Sequence, residues 1–334
     1  MKRKVLASVA VSVMAAIMLA GTAMAAEYKV GIIQFVDDAS LNQIEASIEA
    51  ELDAKSEEGE DKYIYEGYVY NGQADSTTLS QIATQLISDG VDVIVPIATP
   101  TAQIVQAATE DNQIPVVFSA VSDPVGASLV ESMEEPGANI TGTSDALNTN
   151  AILDLMFIAN PDIKKVGLLY SQSEDASKQP IEDAKAYLEE KGVEYVEKTG
   201  TNNTEVTQAA DALIAESVDA VFTPTDNTVM TAELGIYEKF IDAGIPHYAG
   251  ADSFALNGAF CGYGVDYKNL GKETADMVVE ILQGADPATT AVKTFDNGIA
   301  TVNTETAEAI VLDYSGFAEV CTQVIETITA EEFE

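Results

Sequence analysis

Leu86-Ile87-Ser88-Asp89-Gly90-Val91-Asp92-Val93-Ile94-Val95 is echoed 127 residues later by Leu213-Ile214-Ala215-Glu216-Ser217-Val218-Asp219-Ala220-Val221-Phe222, and the pair decides the fold. Each copy reads as a helix end, a turn and an apolar, β-branched run, the pattern of a strand buried in a parallel sheet. Each run leads into a polar loop, Thr99-Pro100-Thr101 in one and Thr225-Asp226-Asn227 in the other. Upstream, Lys29-Val30-Gly31-Ile32-Ile33 matches Lys165-Val166-Gly167-Leu168-Leu169. Downstream, Ile114-Pro115-Val116-Val117-Phe118 matches Ile245-Pro246-His247-Tyr248-Ala249. Three matches in one order, offset by 136, 127 and 131 residues, indicate two copies of one α/β unit or at least matching topology. The competing explanation is that helix–turn–strand units look alike in any α/β protein.

Around these anchors, strands are expected over 28–35, 63–70, 91–97, 116–120 and 139–142, with helices between them from about 40, 76 and 101. The second half repeats the alternation. Helices are expected over 151–159, 180–191, 206–216 and 231–242, and strands over 166–170, 193–198, 218–223 and 247–251. A strand over 261–266, a helix over 270–283, a strand near 299–302 and a last helix or two complete the chain. Such alternation argues for parallel sheets covered by helices on both faces. Of 334 residues, the first 25 read as a leader. Lys2, Arg3 and Lys4 precede an apolar run, and Ala23-Met24-Ala25 forms an A-x-A cleavage signal. Cleavage is expected after Ala25, giving an exported, soluble protein. No cysteine stands near the cut to accept a lipid anchor. The remainder is long enough for two domains.

Charge excludes some partners. The chain carries a net −39, and loss of the leader deepens this to −42, with 13 basic residues against 55 acidic. Such a field repels nucleic acid and anionic lipid. The acidic run from Glu49 to Asp61 reads as a solvated helix end, without the alternating loop and central glycine of a calcium site. Cys261 and Cys321 are the only cysteines, able to pair in an oxidising compartment or to stay as small buried residues.

In open α/β sheets a ligand sits beyond the C-terminal strand ends. Here those ends supply Gln34, Thr99, Thr101, Ser119, Ser122 and Asp123 in the first unit. In the second they supply Tyr170, Ser171, Thr225, Asp226, Asn227, Gly250 and Asp252. Facing lobes would enclose one cleft. Helix N-termini there suit a carboxylate, and Asp226 or Asp252 would match an ammonium group, together a zwitterion such as an amino acid. Phe35, Phe118, Tyr170 and Tyr263 are available to stack on a ring, although as single residues such aromatics are more often core, and the threonines serve equally as caps. Catalysis finds little support. His247 is the only histidine and falls within an expected strand. No Cys–His cluster offers a zinc site, and no phosphate or dinucleotide loop follows a strand. Neither a cofactor nor a metal is expected.

Several motifs resemble one family. They are Ala98-Thr99-Pro100, the run from Ile114 to Ala127 containing Ser119-Ala120-Val121-Ser122-Asp123-Pro124, the run from Pro136 to Ser144, Pro224-Thr225-Asp226-Asn227-Thr228 and Tyr263-Gly264-Val265-Asp266-Tyr267. The mature chain is similar, in order and nearly throughout, to ABC-transporter substrate-binding proteins of the tryptophan/tyrosine-binding type. That resemblance implies the type I periplasmic-binding-protein fold, with two Rossmann-like lobes, three hinge crossings and capture by lobe closure. It implies a first lobe of residues 26–145 plus 264–286, a second of 146–263 plus 287–334, and a helix over 270–283 returned to the first lobe. It adds Ala120, Ser144 and Asp266 to the expected site. It also implies an aromatic amino acid as ligand, a permease with its ATPase as partner, and action as a monomer. The loop Phe35-Val36-Asp37-Asp38 and the missing lipid-accepting cysteine depart from the family pattern. A nucleoside, sugar or other solute, or a hydrolytic role, are the alternatives; the fold is also shared by transcription-regulator effector domains, which the export signal disfavours.

Overall fold

A computed structural model describes residues 25–295, 297–330 and 332–333; the expected leader, up to Met24, lies outside the described residues. The first lobe opens with β1 (Glu27–Gln34), α1 (Ala39–Glu58), β2 (Lys62–Ile64), β3 (Val69–Asn71) and α2 (Ser76–Asp89). It continues with β4 (Val93–Ile97), α3 (Thr99–Thr109), β5 (Val116–Phe118) and β6 (Ile140–Ser144). The second lobe runs from α4 (Thr149–Ala159) through β7 (Lys165–Tyr170), α5 (Asp175–Lys191), β8 (Glu194–Thr199), α6 (Asn203–Ala215) and β9 (Ala220–Thr223). There follow α7 (Asn227–Met230), α8 (Tyr237–Ala243), β10 (His247–Ala249), α9 (Asp252–Leu256) and β11 (Cys261–Gly264). The chain then returns with α10 (Tyr267–Leu282) and β12 (Lys293–Thr294), and ends in β13 (Ile299–Asn303), α11 (Thr304–Ala309) and β14 (Gln323–Thr327).

Two seven-stranded sheets result. The first has the order β12-β6-β5-β4-β1-β2, with β3 also on β1, and the second β14-β13-β11-β10-β9-β7-β8. All pairings are parallel except β11 with β13. The lobes are therefore doubly wound units joined by three crossings, after β6, after β11 and between β12 and β13. Placing the last crossing after residue 286 ends the first lobe too early: Lys293 pairs with Thr143 and Thr294 with Ser144. Likewise Gly264 pairs with Ile299 in the second sheet, so the second crossing follows it.

The internal echo recurs at the level of single bonds. The Asp92 carboxylate accepts from Lys29 N at 2.7 Å, and Asp219 accepts from Lys165 N at 2.9 Å. The Lys29 ammonium donates to Asp89 O at 3.0 Å, and that of Lys165 to Glu216 O at 2.9 Å. Pro115 O accepts from Ile94 N as Pro246 O does from Val221 N. A Cβ on Gly31 would stand 2.7 Å from Leu86, and one on Gly167 3.0 Å from Leu213, so the same helix presses on the same strand in both lobes. Even the αL turn repeats, with Gly90 at φ 66° and Ser217 at φ 54°; the serine tolerates it at a cost of about 1 kcal/mol.

Local chemistry explains where elements start and stop. Asp38 caps α1 by accepting from Ser40 N at 2.9 Å and Leu41 N at 3.3 Å. Leu41, Ile44, Ile48 and Leu52 form its buried stripe, against which α10 packs. The expected strand over 63–70 is split into β2 and β3 by a turn containing Gly67. The helix expected over 231–242 is interrupted. Glu233 turns inward in a 3₁₀ segment and meets His247 Nδ1 at 3.0 Å, a tertiary bond that a regular helix would not make there. The closing strand β14 was not expected at all.

At the centre of the second sheet, Tyr248 is wholly buried and its hydroxyl has no partner among the described residues. Removing an unsatisfied buried hydroxyl recovers its desolvation cost. Tyr248→Phe is therefore expected to stabilise the protein by about 1 kcal/mol, read as a raised denaturation midpoint. A fall in the midpoint would mean that the hydroxyl has a partner in solution.

Candidate functional site

The two sheets point their C-terminal strand ends at one another and enclose a narrow chamber between the lobes, with a cavity volume of about 20 Å³, room for about one water, so a solute enters only when the lobes part. From the first lobe it is lined by Ser40, Ala98, Thr99, Ala120 and Ser122. From the second come Ala176, Thr225, Asn227, Met230 and Ala251. Asp145 and Tyr267 enter from the first two crossings.

Of the residues expected from sequence, Thr99, Ala120, Ser122, Thr225 and Asn227 reach this chamber. The others are engaged elsewhere. Gln34 is buried and donates to Asn42 Oδ1 at 2.6 Å, while Phe35 packs in the first core. Thr101 is buried on α3, its hydroxyl without a partner among the described residues. Ser119 shares a bond of 2.9 Å with Thr274 inside the first lobe. Asp123 closes a turn by accepting from Gly126 N at 2.8 Å. Ser144 donates to Ser122 O at 3.3 Å, and Tyr170 to Glu197 at 2.8 Å. Asp266 caps α10 by accepting from Asn269 N at 3.0 Å.

The two carboxylates expected to meet an ammonium group are already occupied. Asp226 accepts from Ser171 N at 2.7 Å, Ser177 Oγ at 2.6 Å and Val229 N at 2.9 Å, which makes it a cap and a loop anchor. Asp252 reaches across the cleft to Ser40 and Gln43. The carboxylate that faces the chamber is Asp145. It is 4 % exposed, its Oδ1 accepts from Ser122 Oγ at 2.9 Å, and no other side chain among the described residues donates to it. Burial pushes its pKa up to about 6. Sequence gave no sign of it, since it follows a strand in an ordinary Ser-Asp-Ala loop. Only its position after β6, at a crossing between lobes, singles it out.

Among the described residues no lysine or arginine lines the chamber. Burial, then the charges of Asp145, Asp252 and Asp38, raise the Tyr267 phenol well above its ordinary value. Burial also raises Asp38 to about 7. Positive potential is supplied by backbone instead. Helix α3 starts from Ala98 with no side-chain cap, so the N–H groups of Thr99 and Thr101 are left at the positive end of its dipole. Ala98 at φ 78° and Ala120 at φ 52° are both left-handed without being glycine, a strain that collects at ligand-binding positions. The chamber thus offers a buried anion on one side and free N–H groups on another.

His247 is not part of it. Its ring nitrogens are engaged by Glu233 at 3.0 Å and Thr223 at 2.8 Å, between Phe240 and Phe254. Among the described residues no group of three or more His, Cys, Asp or Glu side chains is placed to hold a metal ion. None of the described helices is long and apolar enough to cross a membrane. Cys261 and Cys321 are not bonded to each other.

Residues 29–317 match the family model described as ABC transporter substrate binding protein. A tyrosine-binding protein of Clostridioides difficile (strain R20291) is 31% identical over 281 residues, covering 84% of this chain and 80% of that protein. An ABC domain from Streptococcus pneumonia in complex with L-Trp has 31% identity and a TM-score of 0.82, over 90% of this chain and all of that one. The ligand-free, open structure of a substrate-binding protein with adhesive properties from Clostridium difficile has the same identity but a TM-score of 0.67, over 91% of this chain and all of that one. At equal identity the chain superposes better on the tryptophan complex than on the open form.

Proposed function

The chain belongs to the ABC transporter substrate-binding proteins, and from that premise we propose that it captures an aromatic α-amino acid in the interlobe chamber and delivers it to a membrane permease. The observation that carries this reading is Asp145: a buried carboxylate with, among the described residues, one side-chain donor and no basic side chain in its chamber, which an uncapped helix start also lines. An ammonium group would sit on Asp145. The carboxylate would take N–H groups near Thr99 and Ala120. Tyr267 and Met230 would flank the ring, through aromatic and sulfur contacts. The tyrosine-binding and L-Trp-bound relatives support the solute class.

In this reading the moving bodies are residues 26–145 with 265–294 on one side, and the remainder of the mature chain on the other. A solute that touches both favours the closed arrangement by its differential affinity. The protein would be exported by its cleaved leader, act as a monomer outside the cytoplasm and release its solute unaltered to a permease driven by a cytoplasmic ATPase.

Calorimetry tests the proposal. L-Trp, L-Tyr or L-Phe is expected to bind, whereas the matching compounds lacking the amino or the carboxyl group are expected to give no heat. Equal binding of the deaminated compound would remove the ammonium from the account. Silence with all three amino acids would remove the solute class.

A further inference from the structure

Four polar groups, of which only Ser40 also lines the chamber, tie the lobes together. Asp252, the first residue of α9 in the second lobe, accepts from the Ser40 hydroxyl of the first lobe. Its other oxygen accepts from Gln43 Nε2 at 3.1 Å. The bond is returned by the neighbouring backbone, where Ser253 N donates to Ser40 Oγ at 3.1 Å. Ser40 and Gln43 both lie in the first turns of α1. Gln43, Asp252 and Ser253 take no part in lining the chamber. Ser40 and Ser253 are almost wholly buried, so these bonds are made away from bulk water, where a charged acceptor contributes most.

We infer that Asp252, with Ser40, Gln43 and Ser253, is a clasp that holds the lobes together independently of solute contacts, and so sets how long a captured solute stays. The inference rests on the reading of the protein as a two-lobed capture protein. Every bond of the clasp joins one lobe to the other and can exist only when they meet. Its contribution therefore goes wholly to the closed arrangement, and it shifts the open–closed equilibrium by that amount. Asp252 acts here as a positioning residue, through the lobes rather than on the solute. The clasp also explains why Asp252, read from sequence as an ammonium partner, is engaged elsewhere: each of its oxygens already accepts from the first lobe.

The test compares wild type with Asp252→Ala and, because Asp252 stands in the first turn of α9, with Gln43→Ala, which leaves that helix untouched. Small-angle scattering of the ligand-free proteins reads closure without any solute. Stopped-flow release of L-Trp reads residence time. Both variants are expected to show a larger radius of gyration than wild type, with release accelerated about tenfold to a hundredfold in Asp252→Ala and less in Gln43→Ala. Identical scattering from all three ligand-free proteins would overturn the clasp. Failure of wild type to bind L-Trp would instead count against the solute assignment, and the scattering comparison would still decide the clasp.

Discussion

Asp145→Asn is expected to abolish measurable amino-acid binding while making the ligand-free protein more stable. Truncating one side of a buried, hydrogen-bonded charge pair costs about 2–5 kcal/mol of binding, and an amide in this place would turn its NH₂ toward an ammonium or lose the charge that holds one. Stability moves the other way. Burial raises the folded-state pKa of Asp145 from 3.8 to about 6, so the folded protein binds this proton more tightly than the unfolded chain does. Ionising the carboxylate therefore destabilises the fold, progressively from about pH 4 and fully above pH 6, by about 2–3 kcal/mol. Denaturant melts without solute are expected to show Asp145→Asn more stable than wild type at pH 7.5 and equal to it at pH 4. The same proton governs affinity: binding by wild type should be level above pH 6 and weaken as pH falls below it, as the carboxylate is neutralised. An unchanged melt at pH 7.5, or affinity that rises in acid, would contradict this role.

Phe260→Ala is expected to cost about 3–5 kcal/mol of stability. Phe260 is wholly buried and meets Tyr248, Phe317 and Tyr314 edge-on, with ring centroids 5.2, 6.1 and 6.4 Å apart. Edge contacts add to the burial term. Its carbonyl also accepts from Asn303 N at 3.0 Å, so the ring anchors the strand β11 beside the antiparallel β13, just before the second crossing. A cavity there cannot close without moving both strands. Chemical denaturation followed by far-ultraviolet circular dichroism measures the effect; a loss below about 1 kcal/mol would show that the aromatic cluster is not a tight core.

Much of the architecture was legible because it rests on short-range patterns. The paired runs ending in Val95 and Phe222, with Asp92 and Asp219 at matching places, specify helix, turn and buried strand locally, and the bonds to Lys29 and Lys165 follow from that register. The site was legible only in outline. Strand-end position pointed to Thr99, Ser122, Thr225 and Asn227, but the choice among carboxylates depended on which hydrogen bonds were already made. Asp226 and Asp252 carry several each, some over more than 200 residues of chain, and no local pattern reveals that. Asp145 lies in an unremarkable loop and gains its place only when two lobes meet around it. The interrupted helix after Met230 has the same origin, since a long-range bond from Glu233 to His247 outweighs a local helical preference.

A crystal structure of the protein with L-Trp tests the central claim most directly. The account predicts the indole in the interlobe chamber, the ammonium within about 3 Å of the Asp145 carboxylate, and the amino acid's own carboxylate on N–H groups near Thr99 and Ala120. Density for the solute outside that chamber, or an ammonium turned away from Asp145 toward backbone carbonyls, would contradict it.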